Sequence, residues 1–202
     1  MEVDIVNNEQ DIPKKKKKKP PQKSRLRSLV EFLLNIGIGL LIGVLLVVFV
    51  IQKSEVDGMS MSPTLLNEDV VLVEKVTKFF RDMRRGEIVV IESEGLGTRK
   101  LEFDIIKRVI GLPGETIKIS GGQVFINGEL LVEDYLPEGT QTFVLRAVNS
   151  ELEVTMGVNE YFCMGDNRSN SYDSRDVGVI TEDRILGRAC MRIQPFSSFG
   201  FI

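Results

Sequence analysis

The distribution of apolar and polar positions separates the chain into stretches of different character. Residues 32–51 form an uninterrupted uncharged run that is apolar or glycine except for Asn35. As a helix rising 1.5 Å per residue this run is about 30 Å long, the thickness of a bilayer's hydrocarbon core. A core helix of a soluble protein usually keeps a polar face, and this run has none. The pattern therefore predicts a transmembrane helix, which we assign to residues 28–52, over a buried core helix.

The residues on either side of this run indicate a membrane anchor that is not cleaved and that has a defined orientation. A cleaved secretory signal is the alternative, but the run is long for one and ends in Val-Ile-Gln-Lys instead of a small-x-small cleavage site. Nine basic residues precede the run within residues 1–27, whereas only Lys53 follows closely before Glu55 and Asp57. Positive flanks stay cytoplasmic. We expect a single-pass plasma-membrane protein with a cytoplasmic N-terminus.

Beyond Lys53 the pattern changes to short β-rich runs separated by turn signals. The runs cover residues 70–76, 87–92, 104–110, 116–119, 123–126, 142–146, 152–155, 160–164 and 186–193. Gly121-Gly122 and Asn127-Gly128 are typical of hairpin turns. Residues 76–85 are the one candidate for an amphipathic helix, so antiparallel sheets are favoured over parallel βαβ units. The expected fold class is mainly β: an antiparallel domain at residues 53–202 preceded by one transmembrane α-helix.

Charge divides the chain in the same way. The net charge is −3, but residues 1–27 carry nine basic and four acidic groups and the remainder carries 17 basic and 25 acidic groups. Residues 14–19 are all lysine, bounded by Pro13, Pro20 and Pro21. This composition predicts a disordered cytoplasmic arm at residues 1–27 that lies against anionic lipid. Nucleic-acid binding is the other interpretation of such a run, but beside a membrane span a role in topology is more common.

The composition excludes several kinds of active site. The chain has no His, so it cannot build a Ser-His-Asp triad, a Cys-His pair or a His-ligated zinc. Cys163 and Cys190 are too few for a disulfide framework or a zinc cluster, and burial as small apolar residues is favoured over a single bridge. We expect no metal and no cofactor. A base acting at neutral pH must be Lys, Asp, Glu, Tyr, Cys or a terminal amine.

Three clusters of unusual composition are candidates for chemistry. Residues 57–65 place Ser60 among glycine, methionine and proline; Lys107 interrupts an apolar strand at residues 105–114; and residues 165–176 are almost wholly polar. Each has an ordinary explanation as a turn serine, a snorkelling lysine or a solvated loop. The alternatives remain open when each cluster is taken alone.

Together the clusters indicate a serine whose base is a lysine. A Ser hydroxyl needs a base, the chain has no His, and Lys107 is flanked by isoleucine and valine residues that oppose its charge. Lowering a lysine pKa from about 10.4 to about 8 disfavours the ammonium by roughly 3 kcal/mol, which a desolvated site can supply. We expect Lys107 to lose its proton near neutral pH.

At these residues the chain resembles bacterial type I signal peptidases of peptidase family S26, membrane-bound Ser-Lys endopeptidases that cleave signal peptides from exported preproteins. The matching patterns are G-x-S-M-x-P-T-L at 58–65, the strand at 69–75, R-G-E-I-V-V at 85–90, K-R-V-I-G-L-P-G at 107–114, and G-D-N-R leading to S-R-D at 165–176. One pattern alone is weak. Several in order, after an N-terminal span, are specific.

The resemblance implies a role for each catalytic candidate. Ser60 would be the nucleophile and Lys107 the general base, working through an acyl-enzyme. Ser171 would orient the lysine, supported by an ion pair between Asp173 and Arg175. The Ser60 N–H would donate to the oxyanion.

The oxyanion site also contains a departure from the family pattern. Some family members place a second donor, a serine, where this chain has Gly58. The second donor here is therefore left open between a backbone N–H and a water molecule.

The resemblance also implies how substrate and partners bind. Signal peptides would bind as an extended strand, with shallow pockets for small residues at −1 and −3 before the cut. The matching positions, beside Gly58, are Val56, Met61, Leu65 and Ile106, and these four would equally suit a core. The implied partners are signal peptides of secreted preproteins, the lipid bilayer and the secretion translocon, with no nucleic acid.

Two other functions compete with this hypothesis. The first is a catalytically silent relative that serves as a membrane-anchored assembly or chaperone subunit, and the presence of both Ser60 and Lys107 argues against it. The second is a different Ser-Lys hydrolase, such as a self-cleaving repressor. Such repressors carry a DNA-binding domain, whereas this sequence offers a membrane span and no helix-turn-helix candidate.

Overall fold

The computed structural model describes residues 25–97, 103–144 and 150–202. Residues 1–24 of the predicted arm at 1–27 and the end of the predicted strand at 142–146 lie outside the described residues. Residues 25–27, predicted to be part of the disordered arm, instead belong to the N-terminal helix. The chain divides into two compact units, Met1–Ile42 and Gly43–Ile202.

The N-terminal helix, α1 (Arg25–Val50), is the one helix among the described residues that is long and apolar enough to cross a membrane. Its apolar segment, Arg25–Leu45, has a mean hydropathy of 2.1 and no buried residue. Leucine, isoleucine and phenylalanine are exposed around this segment, a distribution that is stable in lipid and unfavourable in water. The helix ends two residues before the predicted boundary at residue 52, because Ile51 already belongs to the first strand.

The remainder of the described chain is mainly antiparallel β, which confirms the predicted fold class. The strands are β1 (Ile51–Glu55), β2 (Val70–Glu74), β3 (Ile88–Ile91), β4 (Ile105–Gly111), β5 (Thr116–Ser120), β6 (Gln123–Ile126), β7 (Glu129–Leu130), β8 (Leu152–Thr155), β9 (Glu160–Met164), β10 (Ile180–Thr181), β11 (Ile185–Gln194) and β12 (Gly200–Phe201). Two short helices, α2 (Thr77–Phe80) and α3 (Ser174–Val177), and two 3-10 turns, Glu182–Arg184 and Phe196–Ser198, interrupt them.

The strands form two sheets in which every pair is antiparallel. The larger has the order β1-β2-β11-β3-β4-β9-β10, with β12 also paired to β11. The smaller has the order β7-β6-β5-β8. Its hairpins use the predicted turns: Asn127 and Gly128, with φ of 52° and 86°, join β6 to β7 in the left-handed conformation that a tight two-residue hairpin requires.

Two sequence-based assignments were wrong in extent. Residues 142–144 are not a strand, because side chains take their backbone groups: Arg175 donates to the Phe143 carbonyl at 3.1 Å, and Val144 N–H donates to Ser150 Oγ at 2.8 Å. The candidate helix at 76–85 is only the single turn α2. It ends at Arg81, whose φ of −164° is extended and whose guanidinium binds Glu87.

Strand β4 lies at the centre of the packing. Its residues Ile106, Val109 and Ile110 belong to three different hydrophobic clusters of the described chain. All of β4 after Ile105 is buried. Any charged side chain on this strand is therefore withdrawn from water and must either find a partner or lose its charge.

Candidate active site

The first cluster forms a tight turn between β1 and β2. Gly58 has a φ of 91°, a conformation that L side chains rarely adopt. Its N–H donates to Asn67 Oδ1 at 2.8 Å, and the turn continues with Ser62 N–H donating to the Met59 carbonyl at 3.2 Å. Ser60 lies within this turn, two residues after Gly58.

Ser60 and Lys107 meet although 47 positions separate them in the sequence. Lys107 Nζ lies 2.8 Å from Ser60 Oγ and donates to the Ile106 carbonyl at 2.9 Å. The lysine side chain leaves the buried strand β4, and the residue is only 3% exposed. A hydroxyl and an amine at this distance can exchange a proton directly.

The surroundings of Lys107 favour its neutral form. Burial lowers the pKa of Lys107 to about 8, and the positive charge of Arg175 acts in the same direction, against smaller opposing effects led by Asp173. Among the described residues, no carboxylate lies within ion-pairing distance of the Lys107 amine. The direction agrees with the expectation drawn from the apolar neighbours of Lys107 in the sequence.

The third cluster follows β9 and ends in α3. Asp173 caps this helix, accepting from Arg175 N–H at 3.1 Å, and its carboxylate also pairs with the Arg175 guanidinium at 2.7 Å. Gly165 N–H donates to the same carboxylate at 3.0 Å. Burial alone would raise the pKa of Asp173, but the bonds and charge of Arg175, with Gly165 N–H, hold it below its ordinary value. The predicted ion pair is thus in contact and buried.

Ser171 approaches the site across Gly165. A Cβ placed on Gly165 would collide with Ser171 Oγ and with the Ser60 carbonyl, so glycine here lets the polar loop lie against the serine turn. Ser171 Oγ is buried and makes no well-aligned hydrogen bond to any other described residue. Its hydroxyl nevertheless helps to lower the pKa of Asp173. Its predicted role of orienting Lys107 stays a prediction.

The sequence analysis missed Asn167, which joins the polar loop to the serine turn. Its backbone N–H donates to the Ser60 carbonyl at 3.0 Å, and its side-chain amide donates to the Met59 carbonyl at 3.1 Å. Both bonds fix the main chain on either side of the nucleophile candidate. Asn167 belongs to the G-D-N-R pattern noted in the sequence, but that pattern gave it no role of its own.

The sequence analysis also missed a buried ion pair beside the lysine. Arg108 binds both oxygens of Asp166, at 2.9 and 2.6 Å, and its guanidinium lies 4.1 Å from the centre of the Tyr135 ring. Thr64 Oγ1 donates to the same carboxylate at 2.5 Å. A signal was present, since an arginine in an apolar strand requires a buried acceptor.

The four predicted pocket residues lie together in one hydrophobic cluster. This group, with exposures of 0–6%, consists of Val56, Met61, Leu65 and Ile106. Ile106 precedes Lys107 on β4, and the other three flank the serine turn, so the cluster supports both sides of the site. Their contact with a substrate stays a prediction. Cys163 and Cys190 are both free thiols, and burial raises the pKa of each.

The sequence is similar to those of known proteins over most of its length. Residues 29–194 match the family model described as signal peptidase, peptidase S26. A probable signal peptidase I-2 of Synechocystis sp. is 33% identical over 93% of this chain and 82% of its own length, and a signal peptidase I of Leptolyngbya laminosa is 35% identical over 85% and 83%. The crystal structure of a signal peptidase I from Enterococcus faecalis is 30% identical, with a TM-score of 0.41 over 54% of this chain and 97% of that one. The chain therefore belongs to the signal peptidase I family, peptidase S26.

Proposed function

We propose that this chain is a membrane-anchored signal peptidase that cleaves signal peptides from exported preproteins with Ser60 as nucleophile and Lys107 as general base. Membership of the signal peptidase I family supports the reaction class. The single observation that supports the mechanism is the 2.8 Å separation between the Ser60 hydroxyl and an amine whose pKa is lowered to about 8.

The proton transfers of the proposed acylation use only this pair. Neutral Lys107 accepts the proton of Ser60 as Oγ attacks the carbonyl carbon of the scissile bond. The resulting ammonium then donates its proton to the departing amine of the mature protein. The signal peptide stays bound to Ser60 as an ester. Lys107, neutral again, removes a proton from water as the water attacks this ester. The lysine ammonium then returns that proton to Ser60 Oγ as the ester bond breaks, which releases the signal peptide with a new carboxyl terminus.

The developing oxyanion would bind the Ser60 N–H. The Gly58 N–H already donates to Asn67, so we propose that the second donor is another backbone N–H or a water molecule. A serine side chain at position 58, the donor in some relatives, would be strained at a φ of 91°.

Substrate selection is proposed to come from the serine turn and β4. Val56, Met61, Leu65 and Ile106 would form the floor of shallow apolar pockets that accept small residues at −1 and −3. Because these side chains are almost fully buried, they leave little depth, and a large substrate residue would have to displace the core. Gly58 leaves open space beside the turn, with nothing within 4 Å of a Cβ built there.

The proposed topology follows the charge pattern. The arm would be cytoplasmic and the β domain outside, next to the translocon, where signal peptides emerge. Anchoring would place enzyme and substrate in the same membrane and raise their effective concentration.

The test uses the full chain in detergent with a preprotein that carries an Ala-x-Ala cleavage site. We expect cleavage after this site, and its loss in Ser60→Ala and in Lys107→Ala. Matched controls are Ser62→Ala, two residues along the same turn, and Lys118→Ala, on β5 and paired with an exposed Glu153. Near-normal turnover by either dyad variant would refute the mechanism. No cleavage by the unmodified chain would favour the silent assembly subunit.

A further inference from the structure

A segment that leaves the smaller sheet is fixed to that sheet at both ends. This connecting segment, residues 131–142, follows β7 and contains no helix or strand. At its start, Leu131 N–H donates to the Val124 carbonyl on β6 at 2.9 Å. At its end, Thr142 N–H donates to the carbonyl of Gly122, in the turn between β5 and β6, also at 2.9 Å. The smaller sheet therefore sets the position of the whole segment.

The connecting segment binds a buried arginine of the polar loop, residues 165–176. The side chain of Arg168 is only 1% exposed. Its guanidinium donates to Glu133 Oε2 at 2.9 Å and to Thr142 Oγ1 at 2.6 Å. The Tyr135 hydroxyl also donates to the Glu133 carboxylate. Burial alone would lower the pKa of Arg168, but the hydrogen bonds and charge of Glu133 raise it above its ordinary value, so the buried cation depends on this carboxylate.

Arg168 in turn holds the polar loop in the shape that meets the serine turn. Its Nε donates to the Gly165 carbonyl at 3.1 Å, and its own carbonyl accepts from the Arg175 guanidinium at 2.6 Å. The residue before it, Asn167, donates its N–H to the Ser60 carbonyl at 3.0 Å. One side chain thus links the connecting segment to the loop that contacts the nucleophile candidate.

The polar loop also supplies most of the charges around the amine of Lys107. The titratable and charged groups that act on this amine are Asp166, Asp173 and Arg175 from the loop and α3, and Cys163 from β9. Burial is the largest of the effects, and it lowers the pKa of Lys107 to about 8. A loop displaced from the serine turn would admit water to the amine and return this pKa toward its ordinary value.

We propose that Glu133 is a positioning residue for the reaction, because through Arg168 it keeps the polar loop packed against the serine turn. This inference rests on the proposed function of that site. The smaller sheet holds neither member of the proposed catalytic pair, and its part in the reaction is to anchor this carboxylate. A second contact of the same segment acts in the same direction: the Tyr135 ring lies 4.1 Å from the guanidinium of Arg108, on the lysine strand β4.

The experiment compares two ion pairs of similar burial. Glu133→Gln removes the charged partner of Arg168, and the matched control, Glu115→Gln, removes the partner of Arg85, which lies before β3. The two carboxylate side chains are 12% and 19% exposed. For each full-length variant in detergent, NMR of ¹³C-labelled lysine measures the pKa of Lys107, and cleavage of a soluble signal-peptide substrate from pH 6 to 10 gives kcat and KM.

We expect Glu133→Gln to raise the pKa of Lys107 by about half a unit or more, because water reaches the amine. Its kcat should then fall about threefold at pH 7 and recover near pH 10, with KM changed less than about twofold. Glu115→Gln should leave both the pKa and the pH profile unchanged, whatever its effect on stability. An unchanged Lys107 pKa in Glu133→Gln would overturn the proposal, and so would an equal shift in the two variants, which means a general loosening of the domain.

A milder variant decides the case in which Glu133→Gln does not fold. Glu133→Asp keeps the charge but shortens the side chain by one methylene, so we expect a smaller rise in the Lys107 pKa. If only this variant folds and the pKa stays where it is in the unmodified chain, the proposal is wrong. Failure of the unmodified chain to cleave the peptide would refute the proposed function, whereas the Lys107 titration, which needs no cleavage, would still decide this inference.

Discussion

Lys107 and Arg108 are neighbours on β4 that meet burial in opposite ways. They are 3% and 7% exposed, and they point to opposite faces of the strand. Arg108 donates to both oxygens of Asp166 and to the Gly86 carbonyl. Lys107 reaches a hydroxyl and a carbonyl instead. Burial of a basic side chain thus gives an ion pair in one case and an amine of lowered pKa in the other, depending on whether a carboxylate faces it.

The largest expected effect comes from replacing Lys107. Lys107→Met should lower cleavage roughly 10³-fold or more, because Ser60 loses its base. The same change should raise the free energy of unfolding by about 1–3 kcal/mol at pH 7, since a pKa lowered from 10.5 to about 8 means that the folded protein disfavours the ammonium. Cleavage assays and thermal unfolding by circular dichroism in detergent measure both. If Lys107→Met is instead less stable than the unmodified chain, burial of the lysine does not cost stability, and the contrast drawn with Arg108 is wrong.

Removing the carboxylate on the other face should have the opposite effect on stability. Asp166→Asn leaves Arg108 buried without its counter-ion, and we expect a loss of about 3–5 kcal/mol in unfolding free energy. Glu153→Gln, which disrupts the exposed pair with Lys118, is the control and should change stability by less than about 1 kcal/mol. Equal effects of the two variants would mean that the buried pair does not hold the strand in place.

The pH dependence of cleavage should follow Lys107 alone. With a pKa of about 8, roughly a tenth of the amine is neutral at pH 7 and roughly nine tenths at pH 9, so activity should rise about tenfold. Because the folded protein binds fewer protons than the unfolded chain between about pH 8 and 10.5, this residue also makes stability increase with pH over that window. A flat activity profile from pH 6 to 9 would contradict the assignment of the base.

The smallest expected effect concerns one bond to the ion pair. Thr64→Val removes the hydroxyl that donates to Asp166 at 2.5 Å but keeps the shape of the side chain. We expect about 1 kcal/mol lower stability and an unchanged pH midpoint of cleavage, because Lys107 keeps its surroundings. A displaced midpoint would show that the two faces of β4 are coupled.

Much of the fold could be predicted from local signals in the sequence. Alternation and turn residues located most strands, and isoleucine and valine around Lys107 predicted its lowered pKa. Strand β1 was missed because Ile51 continues the apolar run of the helix, and its strand character comes from pairing with β2, 15 to 23 positions away. The two-residue strand β10 likewise depends on β9, 19 to 21 positions earlier.

The candidate site shows the same limit. The sequence offered Ser60 and Lys107 as chemical types, but their 2.8 Å contact depends on sheet register and on the close approach allowed at Gly165. The bonds of Asn167 to the carbonyls of Met59 and Ser60 arise only once the loop after β9 has folded. Local composition could predict which residues take part in the chemistry. How close they lie to one another depends on strand pairings between distant parts of the sequence.

The order of the larger sheet makes the site dependent on the C-terminal part of the chain. Strand β11 lies between β2, which follows the serine turn, and β3, which pairs with the lysine strand β4. Until Ile185–Gln194 is in place, no strand pairing joins these two halves of the sheet. A chain that lacks Ile185–Gln194 therefore cannot hold Ser60 and Lys107 in the register of the full sheet, and the two side chains are brought together only after the strand that is late in sequence has paired.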